Sequence, residues 1–221
     1  MEKHIVKVLE TNFVTHNVKS FVVEKPVGYS FIPGQATDVA INEPGLENEL
    51  RPFTFTSLNT SDHLEFIIKI YKGHDGITEK LSAIEAGGEL IIHEVFGAIN
   101  YKGPGVFIAA GAGITPFMAI LRQLNSEDLL SGNTLLFANH SDDDIILKEE
   151  LVSLLGDNCL NILSQPSDPN IPGRVIDCQL LQQHYKESAN YYICGPDKFT
   201  EMVVSCLNGL GVSPERIILE Q

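Results

Sequence analysis

The first half of the chain contains short segments in which apolar and polar residues alternate, separated by turn residues. Alternation with a period of two, together with enrichment in Val, Ile, Phe and Thr, is typical of strands that bury one face. The segments are HIVKVLE (4–10), VKSFVVE (18–24), ATDVAIN (36–42), FTFTS (53–57) and LEFIIKI (64–70). Strands at this short spacing predict a small antiparallel β barrel, with one helical interruption at 77–84.

The second half has a different pattern, because nearly continuous apolar strands alternate with amphipathic helices. The predicted strands are 106–110, 134–139, 160–164, 191–195 and RIILE at 216–220, and the helices begin near Thr115, Leu147, Asp177 and Asp197. This order predicts a parallel five-stranded sheet covered by helices on both faces, which is an α/β domain. The change at Gly103-Pro104-Gly105 predicts a barrel domain at 1–102 and an α/β domain at 103–221.

Charge and composition exclude several classes of function. The 221 residues include 15 Lys and Arg against 29 Asp and Glu, a net charge of −14, which disfavours binding to nucleic acid or to anionic membranes. No segment approaches the roughly 18 apolar residues of a membrane span, and the first ten residues resemble a strand rather than a signal peptide. We therefore expect a cytoplasmic protein. The histidines and cysteines have no metal-site spacing, so no metal is expected, and reduced thiols are predicted for Cys159, Cys178, Cys194 and Cys206.

Four segments carry residues that can bind a nucleotide, and the first is RPFTFTS at 51–57. Arg51 is one of four arginines in the chain. Its guanidinium can fork onto a phosphate, the ring of Phe53 can stack on a planar cofactor, and Thr54 can hydrogen-bond to a heteroatom. An ordinary edge strand with a solvated arginine and a buried phenylalanine explains the same pattern.

The second segment is KGHDGITEKL at 72–81, where Gly73 and Gly76 flank a turn and Thr78 begins the predicted helix. Free amides at a helix start, beside a glycine that allows close approach, can bind an anion. A plain helix with Asp75 as its N-cap is an equally good interpretation.

The third segment, FIAAGAGITPFMAIL at 107–121, runs from a strand through Gly111-x-Gly113-x-x-Pro116 into a helix. The glycines permit a tight turn and close approach to a pyrophosphate, while the helix start supplies amides and Pro116 loses no hydrogen bond there. A tight turn without a ligand remains the alternative.

The fourth segment, YYICGPDKF at 191–199, ends a buried strand at Cys194-Gly195-Pro196 before another helix. Ligands of open parallel sheets lie beyond the strand ends where the strand order reverses. If this strand neighbours 106–110, Cys194 and Thr115 face one crevice. Otherwise Cys194 is a small buried apolar residue.

In this order the four segments resemble the ferredoxin–NADP⁺ reductase superfamily over nearly the whole chain. That family has an antiparallel, six-stranded Greek-key barrel that binds flavin, followed by a nicotinamide-binding α/β domain. RPFTFTS is similar to the family's Arg-x-(Tyr/Phe)-(Ser/Thr) motif. The match implies that Arg51 contacts the pyrophosphate of FAD, that Phe53 packs along the flavin, and that Thr54 hydrogen-bonds near its reactive nitrogen.

The other three segments match further motifs of the family. Residues 76–78 are similar to the second flavin-phosphate segment, GAGITP to the nicotinamide-dinucleotide turn, and Cys194-Gly195-Pro196 to the motif beside the nicotinamide. Thr54 and Cys194 are the implied catalytic positions, with Cys194 shaping the site rather than acting as a redox thiol. The implied cofactor-binding residues are Arg51, Pro52, Phe53, Thr54, Lys69, Gly76, Ile77, Thr78, Gly111, Gly113, Thr115, Pro116, Cys194, Gly195 and Pro196.

The resemblance implies a reductase that transfers hydride from NADH or NADPH to bound FAD. No iron–sulfur cysteine cluster accompanies the two predicted domains, so the electrons are expected to leave to a separate carrier such as ferredoxin or flavodoxin, or to an oxygenase component. An acidic carrier needs a basic patch, for which Lys69, Lys72 and Lys80 are candidates, although solvated barrel lysines explain them equally well.

Two departures from the family bear on the site. Plant-type members end in an aromatic residue that covers the flavin, whereas this chain ends Leu219-Glu220-Gln221, so the flavin face is expected to be more open or covered by another side chain, Glu220 being one candidate. NADP-specific members carry an arginine after the second parallel strand, where this chain has Asp142, Asp143 and Asp144. Three carboxylates repel a ribose phosphate, and the segment ANHSDDDIILKEEL is similar to NADH-using relatives such as cytochrome b5 reductase. We therefore favour NADH.

Two other functions fit the sequence. One is a diaphorase or free-flavin reductase, in which flavin is a dissociable substrate. The other is a flavin-binding electron-relay or regulatory subunit that has lost nicotinamide binding, although the intact GAGITP and CGP segments count against it.

Overall fold

The computed structural model describes residues 2–97 and 99–219. Its first sheet is antiparallel, with strand order β4-β3-β6-β1-β2-β5. The strands are β1 (His4–Thr15), β2 (Val18–Glu24), β3 (Ala36–Ile41), β4 (Arg51–Thr54), β5 (His63–Lys69) and β6 (Glu89–Phe96), with helix α1 at Ile77–Leu81.

The sheet closes into a barrel just after β4. Phe55 forms a bridge to Phe66 on β5, and the amide of Thr56 donates to the carbonyl of Glu65 at 2.9 Å. The predicted six-stranded antiparallel barrel is therefore confirmed. Two details differ from the sequence pattern: β6 was not among the segments chosen by alternation, and β4 begins at Arg51, because residues 51–54 pair with β3.

The second half forms a parallel sheet of strand order β11-β10-β7-β8-β9, which confirms the predicted five-stranded α/β architecture. Its strands are β7 (Gly105–Ala110), β8 (Thr134–Asn139), β9 (Cys159–Leu163), β10 (Asn190–Cys194) and β11 (Ile217–Leu219). Its helices are α2 (Thr115–Ser126), α3 (Lys148–Leu155), α4 (Cys178–Gln183) and α5 (Asp197–Gly209). The strand order reverses between β7 and β10, which places the switch point at the carboxyl ends of these two strands.

Apolar packing joins the barrel to the α/β half. Val18 and Ile67 of the barrel belong to the same buried cluster as Ile114 and Phe117 beside the parallel sheet. Burial of aliphatic and aromatic surface at this junction holds the two sheets together.

The prediction of reduced thiols is wrong for two cysteines. Cys178 on α4 and Cys206 on α5 form a disulfide, with their Cα atoms 5.1 Å apart. The two residues are 28 positions apart in the chain, and only the packing of α4 against α5 brings them together.

Within the described residues, none of the helices has the length and apolar character that crossing a membrane requires.

Candidate active site

A crevice of about 830 Å³ lies between the barrel and the carboxyl ends of the parallel strands. Most of the predicted site residues line it: Pro52, Phe53, Thr54, Lys69, Thr78, Gly111, Gly113, Thr115, Cys194, Gly195 and Pro196. Four others do not line it, namely Arg51, Gly76, Ile77 and Pro116. Segments that are far apart in the sequence therefore form one site, as the strand-order argument anticipates.

The end of β4 forms the barrel wall of the crevice. Thr54 is 7% exposed, and Phe53 is half-buried against the barrel core. Arg51 lies at the other end of the strand with its side chain in solvent, where its Nη1 donates to the carbonyl of Leu50 at 2.7 Å. Strand β4 thus presents a hydroxyl, a ring and an exposed cation along one short segment.

The turn before α1 is organised by a glutamate that the sequence analysis did not select. The carboxylate of Glu79 accepts hydrogen bonds from the amides of Gly73, His74 and Asp75 at 3.0, 3.1 and 2.9 Å. These bonds, led by the one from Gly73, lower the pKa of Glu79. The interpretation of Asp75 as N-cap is wrong, because Gly76 occupies that position without a side-chain cap.

The same contacts limit what this turn can bind. The amides of residues 73–75 are occupied by Glu79, so the start of α1 from Gly76 onward is the part that still offers amides. Ile77 is 1% exposed and packs in the barrel core, so it can contribute only backbone atoms to a ligand. The side chain of Thr78 lines the crevice.

The glycine-rich turn after β7 forms the opposite wall. Residues 111–114 make a 3-10 turn that leads into α2, and Gly111 has a φ of 53°. A Cβ at Gly113 would lie 2.3 Å from the carbonyl oxygen of Cys194, so this position has no room for a side chain. Thr115 donates from its Oγ1 to the carbonyl of Ala112 at 3.0 Å, which fixes its hydroxyl in the crevice wall.

Strand β10 lies beside β7, so Cys194 and Thr115 face one crevice, as the sequence argument required. Cys194 is 7% exposed and is part of the apolar cluster beneath the turn. A Cβ at Gly195 would lie 2.7 Å from the Phe199 ring, so this glycine lets the strand end pass close to α5.

Several lining residues were missed by the sequence analysis. Tyr71 is 52% exposed and lies two residues after the end of β5, with the Lys69 ammonium 5.8 Å from its ring centroid. Asn139 is the last residue of β8, and its side-chain oxygen and nitrogen are buried without a hydrogen-bond partner among the described residues. Its place at a strand's carboxyl end is the signal that could have identified it. Arg174, one of only four arginines, also lines the crevice.

The structure distinguishes the aspartates at 142–144. Asp144 lines the crevice, where it accepts from the amide and the hydroxyl of Ser141 at 3.0 and 2.6 Å. Burial raises the pKa of this carboxyl, but the Ser141 hydrogen bonds outweigh it, and the net direction is downward. Asp142 lies instead in a neighbouring hollow, 3.6 Å from the Lys148 ammonium and bonded to the Ser167 amide. Glu220, the candidate for covering the flavin, lies outside the described residues.

The described part of the chain holds no cluster of three or more His, Cys, Asp or Glu side chains that could bind a metal ion. The crevice is lined by hydroxyls, amides, aromatic rings and a few charges. Such a lining suits a largely apolar ring system with a few polar contacts.

Comparison with known proteins identifies a domain and relatives. A family model described as an oxidoreductase NAD-binding domain matches residues 107–205. The chain is 29% identical to the reductase component of propane 2-monooxygenase from Rhodococcus jostii, over 89% of this chain and 57% of that protein. It is 28% identical to NADH–cytochrome b5 reductase 1 of Arabidopsis thaliana, over 95% of this chain and 80% of that protein. The chain thus spans less than two thirds of the monooxygenase reductase.

A solved structure shares the fold over almost the full length. A ferredoxin NADP⁺ reductase from Neisseria gonorrhoeae, with bound FAD and NADP, superimposes with a TM-score of 0.86 over 99% of this chain and 98% of that one. The sequence identity between the two chains is 18%, so this likeness establishes the architecture.

Proposed function

We propose that this chain is a member of the ferredoxin–NADP⁺ reductase superfamily and that it is an FAD-dependent reductase using NADH in preference to NADPH. The NAD-binding domain match and the shared fold support this proposal. The protein transfers hydride from the nicotinamide to FAD and passes the electrons to a separate protein. One observation carries the proposal: the end of barrel strand β4 and the glycine-rich turn of the parallel sheet form opposite walls of one crevice.

The crevice suits these two nucleotides. The Thr54 hydroxyl, the Phe53 and Tyr71 rings and the Thr78 side chain form a wall on which a planar ring can lie. Opposite them, the buried amide group of Asn139 offers a donor and an acceptor without protein partners in the described chain. FAD, when bound, supplies a ring that accepts hydride and can release electrons one at a time.

Each residue has a proposed task. Arg51 binds the FAD pyrophosphate, Phe53 packs on the flavin, and Thr54 donates or accepts a hydrogen bond near its reactive nitrogen. The start of α1 and Lys69 add contacts to the flavin nucleotide. The 3-10 turn and the start of α2 hold the nicotinamide nucleotide, with Cys194-Gly195-Pro196 shaping its pocket. In this proposal residues 1–102 bind FAD and residues 103–221 bind the nicotinamide nucleotide.

An anaerobic absorbance titration of the purified protein, first with NADH and then with NADPH, tests the function. We expect a flavin spectrum that bleaches at lower concentrations of NADH than of NADPH. A flavin spectrum unchanged by both coenzymes would contradict the reductase and favour the relay subunit. Protein that purifies without flavin but turns over added FAD would instead indicate a free-flavin reductase.

Arg51→Ala is expected to raise the dissociation constant of FAD about 10- to 100-fold, because a charge-assisted bond to phosphate contributes roughly 1.5–3 kcal/mol. Flavin fluorescence during dilution or dialysis measures the change. Arg216→Ala is the control, since Arg216 lies in the other half and bonds to the carbonyl of Glu187. Equal FAD retention by both variants would remove Arg51 from the phosphate role.

Asp144→Asn is expected to lower the KM for NADPH roughly fivefold and leave the KM for NADH unchanged. The carboxylate lines the crevice, and removing one charge several ångströms from a ribose phosphate relieves about 1 kcal/mol of repulsion. Asp142→Asn is the matched control, because Asp142 faces the neighbouring hollow. Arg174 also lines the crevice, and its positive charge would attract the same ribose phosphate. If this attraction outweighed the repulsion by Asp144, the wild-type protein would prefer NADPH, and that result would overturn the choice of NADH.

The electron acceptor is proposed to be a separate small carrier, such as a ferredoxin or flavodoxin, or an oxygenase component. Support comes from the relative that is the reductase component of propane 2-monooxygenase. Lys69 lines the crevice, and Lys69, Lys72 and Lys80 are the proposed contacts for an acidic carrier. Lys72 is exposed, whereas Lys80 lies 3.9 Å from Asp75. A cytoplasmic location also belongs to this proposal, although the Cys178–Cys206 disulfide is more typical of oxidising compartments. Cell fractionation followed by immunoblotting tests it, and recovery of the protein outside the cytoplasmic fraction would contradict it.

A further inference from the structure

Arg122 on α2 connects the two halves of the molecule through its side chain. Its Nη1 donates to the carbonyl of Thr56 at 2.7 Å and forms an ion pair with the Glu65 carboxylate. Its Nε and Nη2 donate to the two carboxylate oxygens of Glu150 on α3, at 2.6 and 2.9 Å. One guanidinium therefore binds two barrel groups and one group of the α/β half.

The contacts on the barrel side fall where the barrel closes. Thr56 is fully buried, and its hydroxyl donates to the Glu65 carboxylate at 2.6 Å. The Glu65 amide in turn donates to the Ser57 hydroxyl at 3.1 Å. Arg122 thus binds a segment that is itself hydrogen-bonded to β5.

The cluster sets one positive charge between two negative ones, and all three groups are partly shielded from water. The side chains of Arg122 and Glu65 are 20% and 19% exposed, and that of Glu150 is 33% exposed. Burial lowers the pKa of Arg122, but the bonds to Glu150 and Glu65 outweigh it and raise the pKa above its ordinary value. The guanidinium stays charged, and its planar fork fixes direction as well as distance.

Both ends of the cluster lead directly into the crevice. Thr56 follows Thr54, the lining residue of the barrel wall, by two positions on the same segment. Arg122 follows Thr115, a lining residue of the opposite wall, by seven positions, which is two turns of α2. A shift at Arg122 therefore moves one wall of the crevice relative to the other.

We propose that Arg122 is a positioning residue for hydride transfer, whose bonds to Glu65 and Thr56 set the distance between the flavin wall and the nicotinamide wall of the crevice. This inference rests on the proposed reductase function. In the step concerned, a hydride leaves the dihydronicotinamide, which is oxidised, and reduces the flavin. Such a transfer needs the two reacting atoms at near-attack distance, and a displacement of about 1 Å can cost up to 100-fold in rate.

Stability alone does not account for the cluster. The apolar contacts of Val18 and Ile67 with the cluster around Phe117 already hold the two halves together. A partly buried ion pair adds little net stability, because desolvation offsets most of its attraction. The ion pair instead fixes the position of α2 relative to the barrel at one side of the junction.

The test is the limiting rate of flavin reduction, measured by anaerobic stopped-flow mixing of NADH with the FAD-loaded full chain. Arg122→Met is expected to lower this rate 10- to 100-fold while the dissociation constants of NADH and FAD stay within threefold. Arg122→Lys is expected to recover part of the loss, since an ammonium can still reach one acceptor. Gln123→Ala is the neighbouring control, because Gln123 bonds only along its own helix to Glu127 in the described structure.

Two further variants separate positioning from stability. Glu65→Gln keeps the size of the side chain and removes the charge across the junction, so its rate is expected to fall at least fivefold even if Arg122→Met fails to fold. Leu181→Ala removes packing from the core on the far side of the parallel sheet. It is expected to lower the thermal stability as much as Arg122→Met does, while leaving the contacts of Arg122 unchanged. Rates in Arg122→Met and Glu65→Gln that equal the rate of Leu181→Ala would overturn the proposal. A wild-type flavin that neither coenzyme reduces would instead refute the reductase function itself.

Discussion

Gly113→Ala is expected to lower the free energy of unfolding by about 2–3 kcal/mol and the rate of flavin reduction by NADH at least tenfold. The added Cβ would lie 2.3 Å from the carbonyl oxygen of Cys194 and 2.8 Å from the amide nitrogen of Gly195. Both obstacles are backbone atoms, so no side-chain rotation can relieve the overlap, and the cost falls in the upper range for overpacking. Denaturant titration and stopped-flow reduction measure the two effects.

The neighbouring glycine provides the control for this variant. Gly111 has a φ of 53°, and a Cβ there meets no atom within 4 Å. Gly111→Ala is therefore expected to cost only about 1–2 kcal/mol, from the left-handed backbone alone. It should leave β7 and β10 in register. If Gly111→Ala lowered the free energy of unfolding as much as Gly113→Ala, close approach to Cys194 would not be the reason for the glycine at 113.

Lys19→Met is expected to destabilise the protein by about 3 kcal/mol, or about 6–12 °C in Tm. Lys19 is 2% exposed, and its ammonium donates to the carbonyls of Ser82 and Ile84 at 3.0 and 2.7 Å and to Glu85 at 3.2 Å. Methionine fills similar space but leaves those carbonyls without their donor. Since they directly follow α1, the FAD affinity is also expected to fall.

Lys7→Met is the matched control for this change, because Lys7 lies on the adjacent strand with its side chain in solvent. Its effect is expected within about 0.5 kcal/mol. Thermal unfolding followed by circular dichroism gives both values. A Tm for Lys19→Met within a degree or two of that of Lys7→Met would show that the ammonium is dispensable to the barrel.

Some strands of this protein are marked by a local pattern in the sequence, and others are not. Strands β2 and β8 have the predicted bounds. In each strand the buried apolar residues form a pattern that can be recognised within a few neighbouring positions. Strand β6 was overlooked because its first half does not alternate between apolar and polar residues. Leu90, Ile91 and Ile92 are all buried, since β6 lies between β1 and β3. The N-cap role of Asp75 failed because Asp75 has a left-handed φ of 46° and the helix begins one position later, with Gly76 at the N-cap.

The residues of the candidate site also fall into two groups, those that a local pattern marks and those that only the fold brings to the crevice. Gly111, Gly113 and Thr115 were predicted because a strand, a glycine turn and a helix follow one another directly in the chain, and all three line the crevice. Asn139 and Asp144 enter the crevice because β8 lies beside β7 in the folded sheet. Arg174 enters it because its amide bonds to Leu163 at the end of β9, which lies beside β8. Asp142 and Asp144 are two positions apart in the sequence, yet they line different hollows.

The sequence by itself determined the order of the elements, the division into a barrel pattern and an α/β pattern, and the glycine-rich turn, because each depends on residues within a few positions of one another. The tertiary structure alone decided the Cys178–Cys206 pair and the cluster of Arg122 with Glu65, which are 57 positions apart. Such contacts depend on how two apolar surfaces dock. That docking energy is spread over many distant side chains, so no short stretch of the chain encodes it.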